Sequence, residues 1–186
     1  MNIAPVAYRY ARSLMDLALE QSTVDAVHED MALVANTCAG SRELQVLLSS
    51  PVVKGDKKEK VLDQLFAGKV GTITNSFIGI LVRKGREALL PQVAAAFTDL
   101  YKQHKGIVTA EVISAVPLTD DARKRVQELA AARYPGKSIQ LLEKVDPSLI
   151  GGVTIRIGDE QYDGSVSRRL NDLRREFSKN PYIPEI

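Results

Sequence analysis

The chain has few of the residues from which metal sites and covalent crosslinks are built. Only Cys38 is a cysteine, and only His28 and His104 are histidines. A single cysteine excludes an intramolecular disulfide and fits a reducing compartment. Neither histidine has a cysteine or a second histidine at ligand spacing, so we expect no metal and interpret both as solvated helix residues. Cys38 falls in an apolar helical register, which predicts a small core side chain.

Long apolar runs and an excess of one charge are also missing. No apolar segment approaches the roughly 20 residues that a membrane-spanning helix needs. Charged residues interrupt the apolar pattern of Met1–Glu20, which is atypical of a secretory signal. The net charge of +2 argues against a dedicated nucleic-acid binder, and 45% hydrophobic residues are typical of a folded globular chain. We expect a soluble protein that stays in the cytoplasm.

The motifs of common catalytic sites do not occur. There is no Gly-x-Ser-x-Gly, and the glycines Gly151, Gly152 and Gly158 lack the order of a phosphate-binding loop, so they are interpreted as turn residues. The acidic residues that follow Gly158 lack the spacing of a calcium loop. The arginines near the C-terminus have acidic residues at helical neighbour spacing, which favours a solvated, salt-bridged face. The sequence therefore predicts no catalytic residue, no cofactor and no enzyme.

Hydrophobic periodicity predicts helices from Met1 to about Lys105. Apolar residues recur at helical spacing in six short segments joined by short connections, which predicts a six-helix bundle. Pro5 suits the first turn of the first helix. Asp56 with Glu59 reads as an acidic variant of a capping box at the fourth helix, and Thr72 or Thr74 is expected to cap the fifth.

The hydrophobic period changes at Gly106. Alternating residues predict a strand, followed by a helix with Thr119 as N-cap, a strand over Ser138–Val145 and another over Gly152–Ile157. A hairpin onto Gln161-Tyr162 and a final helix complete the chain. The predicted fold class is α+β, with a helical bundle over residues 1–105 followed by a small α/β domain over residues 106–186.

The last helix and the turns before it form the most distinctive stretch, Val145–Phe177. Gly151 and Gly152 allow backbone angles or close approaches that a Cβ would forbid. Asp163-Gly164 makes a second turn, and Ser165 is a natural N-cap. The helix that follows is amphipathic, because one face carries an apolar stripe and the other carries charges. The residues of the stripe are Val166, Leu170, Leu173 and Phe177.

This stretch resembles the C-terminal signature of the delta subunit of F-type ATP synthases, the oligomycin-sensitivity-conferring protein family. The matching segments are Asp146…Leu149-Ile150-Gly151-Gly152, Ile155-Arg156-Ile157-Gly158-Asp159 and Asp163-Gly164-Ser165 before a helix with Leu170. Upstream, Tyr10-Ala11 resembles the first helix of the family and Leu81…Gly85-Arg86…Leu90 the end of its fifth. The resemblance implies a non-catalytic stator subunit that holds the catalytic head against rotation during proton-driven ATP synthesis.

The resemblance also implies partners. In this family a groove between the first and fifth helices receives an N-terminal helix of an alpha subunit of the alpha/beta head, and the C-terminal part meets the b subunits of the peripheral stalk. The first and fifth helices here are apolar over more than one stripe, which fits a partner face as well as a core. The expected groove residues are Ala7, Tyr10, Ala11, Leu14, Phe77, Ile80 and Leu81. The expected stalk-side signature residues are Gly151, Gly152, Asp163, Gly164, Ser165 and Leu170.

Two other functions are weighed against this one. An RNA-binding module would use the α/β half and its arginine-bearing helix, but RNA-binding sheets stack bases on strand aromatics, and Gly152–Ile157 has none. A free-standing enzyme would need a convergent polar pocket that no motif predicts. The favoured interpretation places a monomeric chain at the cytoplasmic face of a bacterial membrane, attached only through the complex, with no nucleic acid. The tail Ser178–Ile186 is expected to be loosely ordered.

Overall fold

The computed structural model describes residues 5–158 and 160–178. The chain divides between Lys105 and Gly106 into two compact units, here called the helical unit and the α/β unit. Gly106 has a φ of +65°, a left-handed conformation that glycine adopts without steric cost. Helices together with a four-stranded mixed sheet confirm the predicted α+β class. Of the tail Ser178–Ile186 that is expected to be loosely ordered, Ser178 ends the last helix, and the other residues lie outside the described ranges.

The helical unit is built from short amphipathic helices joined by short connections. Pro5 opens the first helix, as its fixed φ and missing N–H favour. The helices are α1 (Pro5–Glu20), α2 (Val24–Gly40), α3 (Arg42–Ser49), α4 (Gly55–Phe66), α5 (Thr72–Arg83) and α6 (Leu90–His104), with a short 3-10 turn at Glu87–Leu89 before α6.

The core of this unit gathers around α6, which packs against both α1 and α2. Alanines of α1 and α6 are fully buried, which allows the backbones of these two helices to approach closely. The large side chains Phe66, Phe97 and Met31 fill the remaining space. Cys38 lies within this core, as predicted, and burial raises the pKa of its thiol.

The start of α5 is held by a carboxylate from α2. Asp30 Oδ2 accepts hydrogen bonds from the Gly71 N–H at 2.8 Å and from the Thr74 hydroxyl at 2.7 Å. The prediction that Thr72 or Thr74 caps this helix is therefore wrong, because Gly71 occupies the N-cap position and Thr74 is a buried donor to Asp30. Asp30, which is distant in sequence, thus accepts the hydrogen bond of a backbone N–H that a local cap residue would otherwise accept.

The start of α4 also differs from the prediction. The N-cap position belongs to Lys54, whose backbone is extended at φ −63° and ψ 145° and whose side chain makes no cap. Asp56 lies inside the first turn, where the helix dipole favours a carboxylate, so the capping box of Asp56 with Glu59 is wrong.

A buried ion pair joins α4 to the 3-10 turn. Lys58 is 3% exposed, and its Nζ donates to Glu87 Oε1 at 2.6 Å and to the Leu48 carbonyl at 2.9 Å. The other Glu87 oxygen, Oε2, is buried without a hydrogen-bond partner in the described part of the chain. Because each charge neutralises the other in a dry environment, loss of one leaves the other uncompensated.

The α/β unit is a mixed sheet with a helix on one face. Its elements are β1 (Ile107–Ser114), α7 (Asp120–Arg133), β2 (Ser138–Val145), a 3-10 turn (Pro147–Leu149), β3 (Val153–Ile157), β4 (Glu160–Asp163) and α8 (Val166–Ser178). The strand order is β2-β1-β3-β4. β1 and β2 are parallel, as expected for strands joined through a helix, and the pairs β1–β3 and β3–β4 are antiparallel. Asp159, which lies between β3 and β4, is outside the described residues.

The small core of this unit lies between α7 and the sheet. Val126 and Ala130 of α7 cluster with buried residues of β1 and β3. The predicted N-cap of α7 is confirmed, because the Thr119 hydroxyl accepts from the Ala122 N–H at 3.3 Å. The edge strand β2 packs against this core through the partly buried Ile139 and Leu141, whereas β4 and α8 contribute no residue to it among those described.

Replacing Lys58 by methionine should cost about 3–5 kcal/mol of unfolding free energy, because the Glu87 carboxylate is left buried without its partner. The double variant K58M/E87L should recover most of that loss, since it removes both charges. Urea melts of the full chain measure both. A single variant as stable as the parent would mean that the pair is hydrated in solution.

A chain that ends at Lys105 should fold by itself as a helical monomer, because its core residues come from α1–α6 alone. Circular dichroism should show a strongly helical spectrum and a cooperative thermal transition. A featureless spectrum or a gradual melt would contradict the boundary.

Candidate partner-binding site

Two glycine turns of the α/β unit meet at the start of α8. Gly152 has a φ of +78°, and a Cβ on it would lie 2.3 Å from the Gly164 carbonyl oxygen. The Gly151 carbonyl accepts from the Val166 N–H at 2.9 Å, and the Gly164 N–H donates to the Val153 carbonyl at 2.9 Å. The structure thus brings together residues that the sequence places in separate turns, and it leaves no space for a side chain at Gly152.

Ser165 is the N-cap of α8, as predicted. Its hydroxyl accepts from the Arg168 N–H at 3.1 Å, and the residue is buried. Asp163 Oδ1 accepts from the Ser165 N–H at 3.0 Å and from the Thr154 hydroxyl at 3.2 Å. The backbone hydrogen bond from Ser165 lowers the pKa of Asp163, because it stabilises the carboxylate. Asp163, Gly164 and Ser165 therefore fix the direction in which α8 leaves the sheet.

The apolar stripe of α8 has no partner among the described residues. No residue of this helix is buried. The exposed fractions along the stripe are 41% for Val166, 51% for Leu170, 45% for Leu173 and 86% for Phe177. A helix that is strongly amphipathic but buries nothing is typical of a surface that a partner covers.

The residues expected in the α1–α5 groove lie mostly in the core. Ala7, Ala11, Leu14, Phe77 and Leu81 are all buried. A groove floor made of Ala7 and Ala11 is therefore not open in the free chain, because these positions serve the packing of the helical unit itself.

Two of the expected groove residues do reach the surface. Ile80 is 43% exposed, and Tyr10 is half-buried against the core. Tyr8 and Leu17 on α1 add further exposed apolar area. Tyr10 and Leu17 are seven positions apart and share one face of α1, whereas Tyr8, two positions from Tyr10, lies on another side of the helix. The exposed apolar area of α1 beside Tyr10 is therefore formed by Tyr10 and Leu17, and the alanines lie beneath it.

A surface depression of about 310 Å³ lies beside Tyr10, and the sequence did not predict it. Its lining joins four residues of α1 to one residue after α5. They are Val6, Arg9, Tyr10, Ser13 and Arg86. One signal was present in the sequence: Arg9 has no acidic residue three or four positions away.

A second depression, of about 590 Å³, lies between α7 and the β3–β4 hairpin. Leu129 and Tyr162 form its exposed apolar rim. Arg133 and Glu160 lie at its border and pair through two hydrogen bonds of 2.9 and 2.7 Å. Periodicity could not predict this surface, because it depends on α7 covering only part of the sheet.

His28 is not the solvated residue that the sequence predicted. Its ring stacks on Tyr101 at 3.8 Å between centroids, and its Nδ1 is buried without a partner in the described structure. Asp25 accepts from the Tyr101 hydroxyl at 2.8 Å and pairs with Lys105. Burial lowers the pKa of His28, although Asp25 and Glu29 oppose the shift. This cluster joins α2 to α6 and is structural.

Residues 5–158 and 160–178 contain no group of three His, Cys, Asp or Glu side chains that could hold a metal ion. Within these ranges no helix combines the length and apolarity that crossing a membrane requires. The described residues present apolar surfaces on helices, above all the stripe of α8. Such surfaces are typical of a protein that binds other proteins.

The comparisons with known proteins give the family. Residues 6–177 match the family model of the ATP synthase delta (OSCP) subunit. The chain is similar to the ATP synthase subunit delta of Cytophaga hutchinsonii, at 36% identity over 96% of this chain and 97% of the relative. The corresponding subunit of Chlorobium luteolum is 39% identical over 96% of this chain and 98% of its own length. The chain belongs to the ATP synthase delta (OSCP) subunit family.

A solved structure has the same fold. A chain of the Toxoplasma gondii mitochondrial ATP synthase hexamer superposes with a TM-score of 0.74 at 23% identity, covering 95% of this chain and 99% of that one.

Membership of the family makes this chain a non-catalytic stator subunit of an F-type ATP synthase. Nothing in these findings favours RNA binding. β3, with the sequence VTIRI, lacks an aromatic residue on which a base would stack.

Lowering the pH should destabilise the helical unit through His28. Its pKa is lower in the folded chain than in the unfolded chain, so the unfolded chain binds more protons and stability falls as the pH drops below about 6.5. Urea melts between pH 7.5 and about 5.5 measure this. His28→Gln should flatten the dependence, whereas His104→Gln, at an exposed position, is the matched control. If the unfolding free energy changes equally with pH in the two variants, the pH dependence does not come from His28.

Proposed function

We propose that this chain joins the peripheral stalk to the catalytic head of the ATP synthase through its two units. The α/β unit binds the C-terminal helical end of the b subunits, and the helical unit binds an N-terminal helix of an alpha subunit. Both contacts follow the helix-in-groove or helix-on-helix mode, in which apolar anchors at i, i+3, i+4 and i+7 supply the affinity.

The observation that carries this proposal is the bare apolar stripe of α8. Its residues 166, 170, 173 and 177 follow the spacing of a helix-pairing seam. Burying such side chains contributes roughly 1.5–3 kcal/mol each when the burial is complete. The N-cap at Ser165 and the glycine contact at Gly152 hold the start of the helix, so little ordering is left for the moment of binding.

The head side is supported by exposed apolar residues on α1 and α5. Ile80 and Leu17 are exposed, and the half-buried Tyr10, which shares a face of α1 with Leu17, packs at the edge of the core that Ala7 and Ala11 complete. An incoming helix would pack on these side chains. Aromatic residues are favoured anchors because they bury a large area at a low cost in side-chain entropy.

The proposed role is mechanical. A stator must resist torque, and the helical unit supplies a closely packed core for that purpose, including the buried pair of Lys58 and Glu87. Proton movement and ATP chemistry belong to other subunits. We place the chain as a monomer at the cytoplasmic face of a bacterial membrane, held there only through the complex.

The stalk contact is tested by placing a charge on the stripe. Leu173→Asp should weaken binding of a C-terminal b-subunit segment at least about tenfold, because a carboxylate is driven into an apolar interface. Asn171→Asp adds the same charge to the polar side of α8 and should bind as the parent does. Calorimetry measures the affinities and urea melts check folding, which both variants should retain since Leu173 is already exposed.

A Leu173→Asp protein that stays folded and binds the b segment with parental affinity would rule out α8 as the stalk surface.

A further inference from the structure

The depression beside Tyr10 presents two guanidinium groups and no carboxylate. Arg9 reaches it from α1, and Arg86 reaches it from the turn that follows α5. Both arginines are exposed, and neither makes an ion pair with any other described residue. Two like charges beside one depression repel each other, and an anionic group placed between them would relieve that repulsion.

The backbone of Arg86 is held in place. Gly85 has a φ of +63°, and the Arg86 N–H donates to the Leu81 carbonyl at 2.8 Å, the arrangement that ends α5 with a glycine in the left-handed conformation. The Arg86 carbonyl then accepts from the Leu89 N–H at 3.0 Å. Arg86 is therefore anchored on both sides.

The backbone of Arg9 is equally constrained, because it lies within α1. Its carbonyl accepts from the Ser13 hydroxyl at 3.0 Å, so Ser13 is occupied by a contact within the helix. This leaves the two guanidinium groups as the charged recognition groups of the lining, with Val6 and the ring of Tyr10 as its apolar part and the Tyr10 hydroxyl as a further polar group.

The acidic residue next in sequence does not neutralise the pair. Glu87 directs its carboxylate inward, where Oε1 meets Lys58 at 2.6 Å. Among the described residues, no carboxylate therefore offsets the positive charge of the depression.

We propose that Arg9 and Arg86 form a receptor for a carboxylate carried by the helix that docks on α1 and α5. The occupant is an amphipathic helix with an aspartate or glutamate at the edge of its apolar stripe, seated over Val6 and Tyr10. Arginine suits this role because its planar fork binds a carboxylate through paired hydrogen bonds. The inference rests on the proposed contact with the alpha subunit and adds the chemistry by which that contact is recognised.

The test uses the full chain and a synthetic peptide that covers the N-terminal helix of the alpha subunit from the same organism. Calorimetry compares the parent, R9Q, R86Q and R9Q/R86Q. The double variant should bind about tenfold more weakly or worse, because hydrogen bonds between charged groups are lost. R42Q removes one exposed charge at the start of α3 and should bind as the parent does. Melts should be unchanged in all four variants.

A second peptide, with its acidic residues replaced by Asn and Gln, identifies the partner group. It should bind the parent weakly and show no further loss with R9Q/R86Q, since both changes remove the same contact. Raising the salt concentration should reduce the difference between the parent and the double variant in their affinity for the acidic peptide, because salt screens the charges.

The outcomes separate this inference from the function on which it rests. If the acidic peptide binds the parent and R9Q/R86Q equally well, the carboxylate receptor is wrong and the head contact stands. If the peptide does not bind the parent at all, the proposed contact with the alpha subunit is wrong. The proposed carboxylate receptor is then wrong as well, because it depends on that contact.

Discussion

The approach of Gly152 to the Gly164 carbonyl is the constraint on which the position of α8 in the α/β unit depends. A Cβ at Gly152 would lie 2.3 Å from that oxygen. The turn before β3 can therefore approach the turn after β4 only when residue 152 is glycine. Their contact places the Gly151 carbonyl where it accepts from Val166. The Ser165 cap then starts α8 at that point. α8 is thus tied to the sheet at its first turn, and its apolar stripe is left exposed.

The sequence predicts this part of the molecule well, because its determinants are local. A serine cap, two glycine turns and an alternating strand are all encoded within a few residues of where they act. The same holds for Thr119 at the start of α7. The prediction of the cap of α5 differs from the structure because a residue distant in sequence takes the role of a local one. Asp30 reaches from α2 to the start of α5, and no pattern within α5 reveals that contact.

The candidate surfaces divide in the same way. Periodicity finds the stripe of α8 but cannot tell an exposed stripe from a buried one, since both repeat at helical spacing. For that reason Ala7 and Ala11 are expected in a groove but lie in the core. Arg9 and Arg86 are 77 positions apart, and only the packing of the helical unit brings them to one depression. Sequence reasoning could note that Arg9 lacks an acidic neighbour, but it could not supply Arg86.

The two proposed contacts rest on different physical forces. α8 offers four apolar side chains in a row, so its contact is dominated by the hydrophobic effect, on which screening by salt has little influence. The depression on α1 offers less apolar surface and two exposed guanidinium groups, so its contact depends on charge and weakens as ionic strength rises. Charge also steers encounter and fixes register more than it adds affinity. The charged contact therefore suits recognition of the head, and the apolar contact suits the permanent attachment to the stalk.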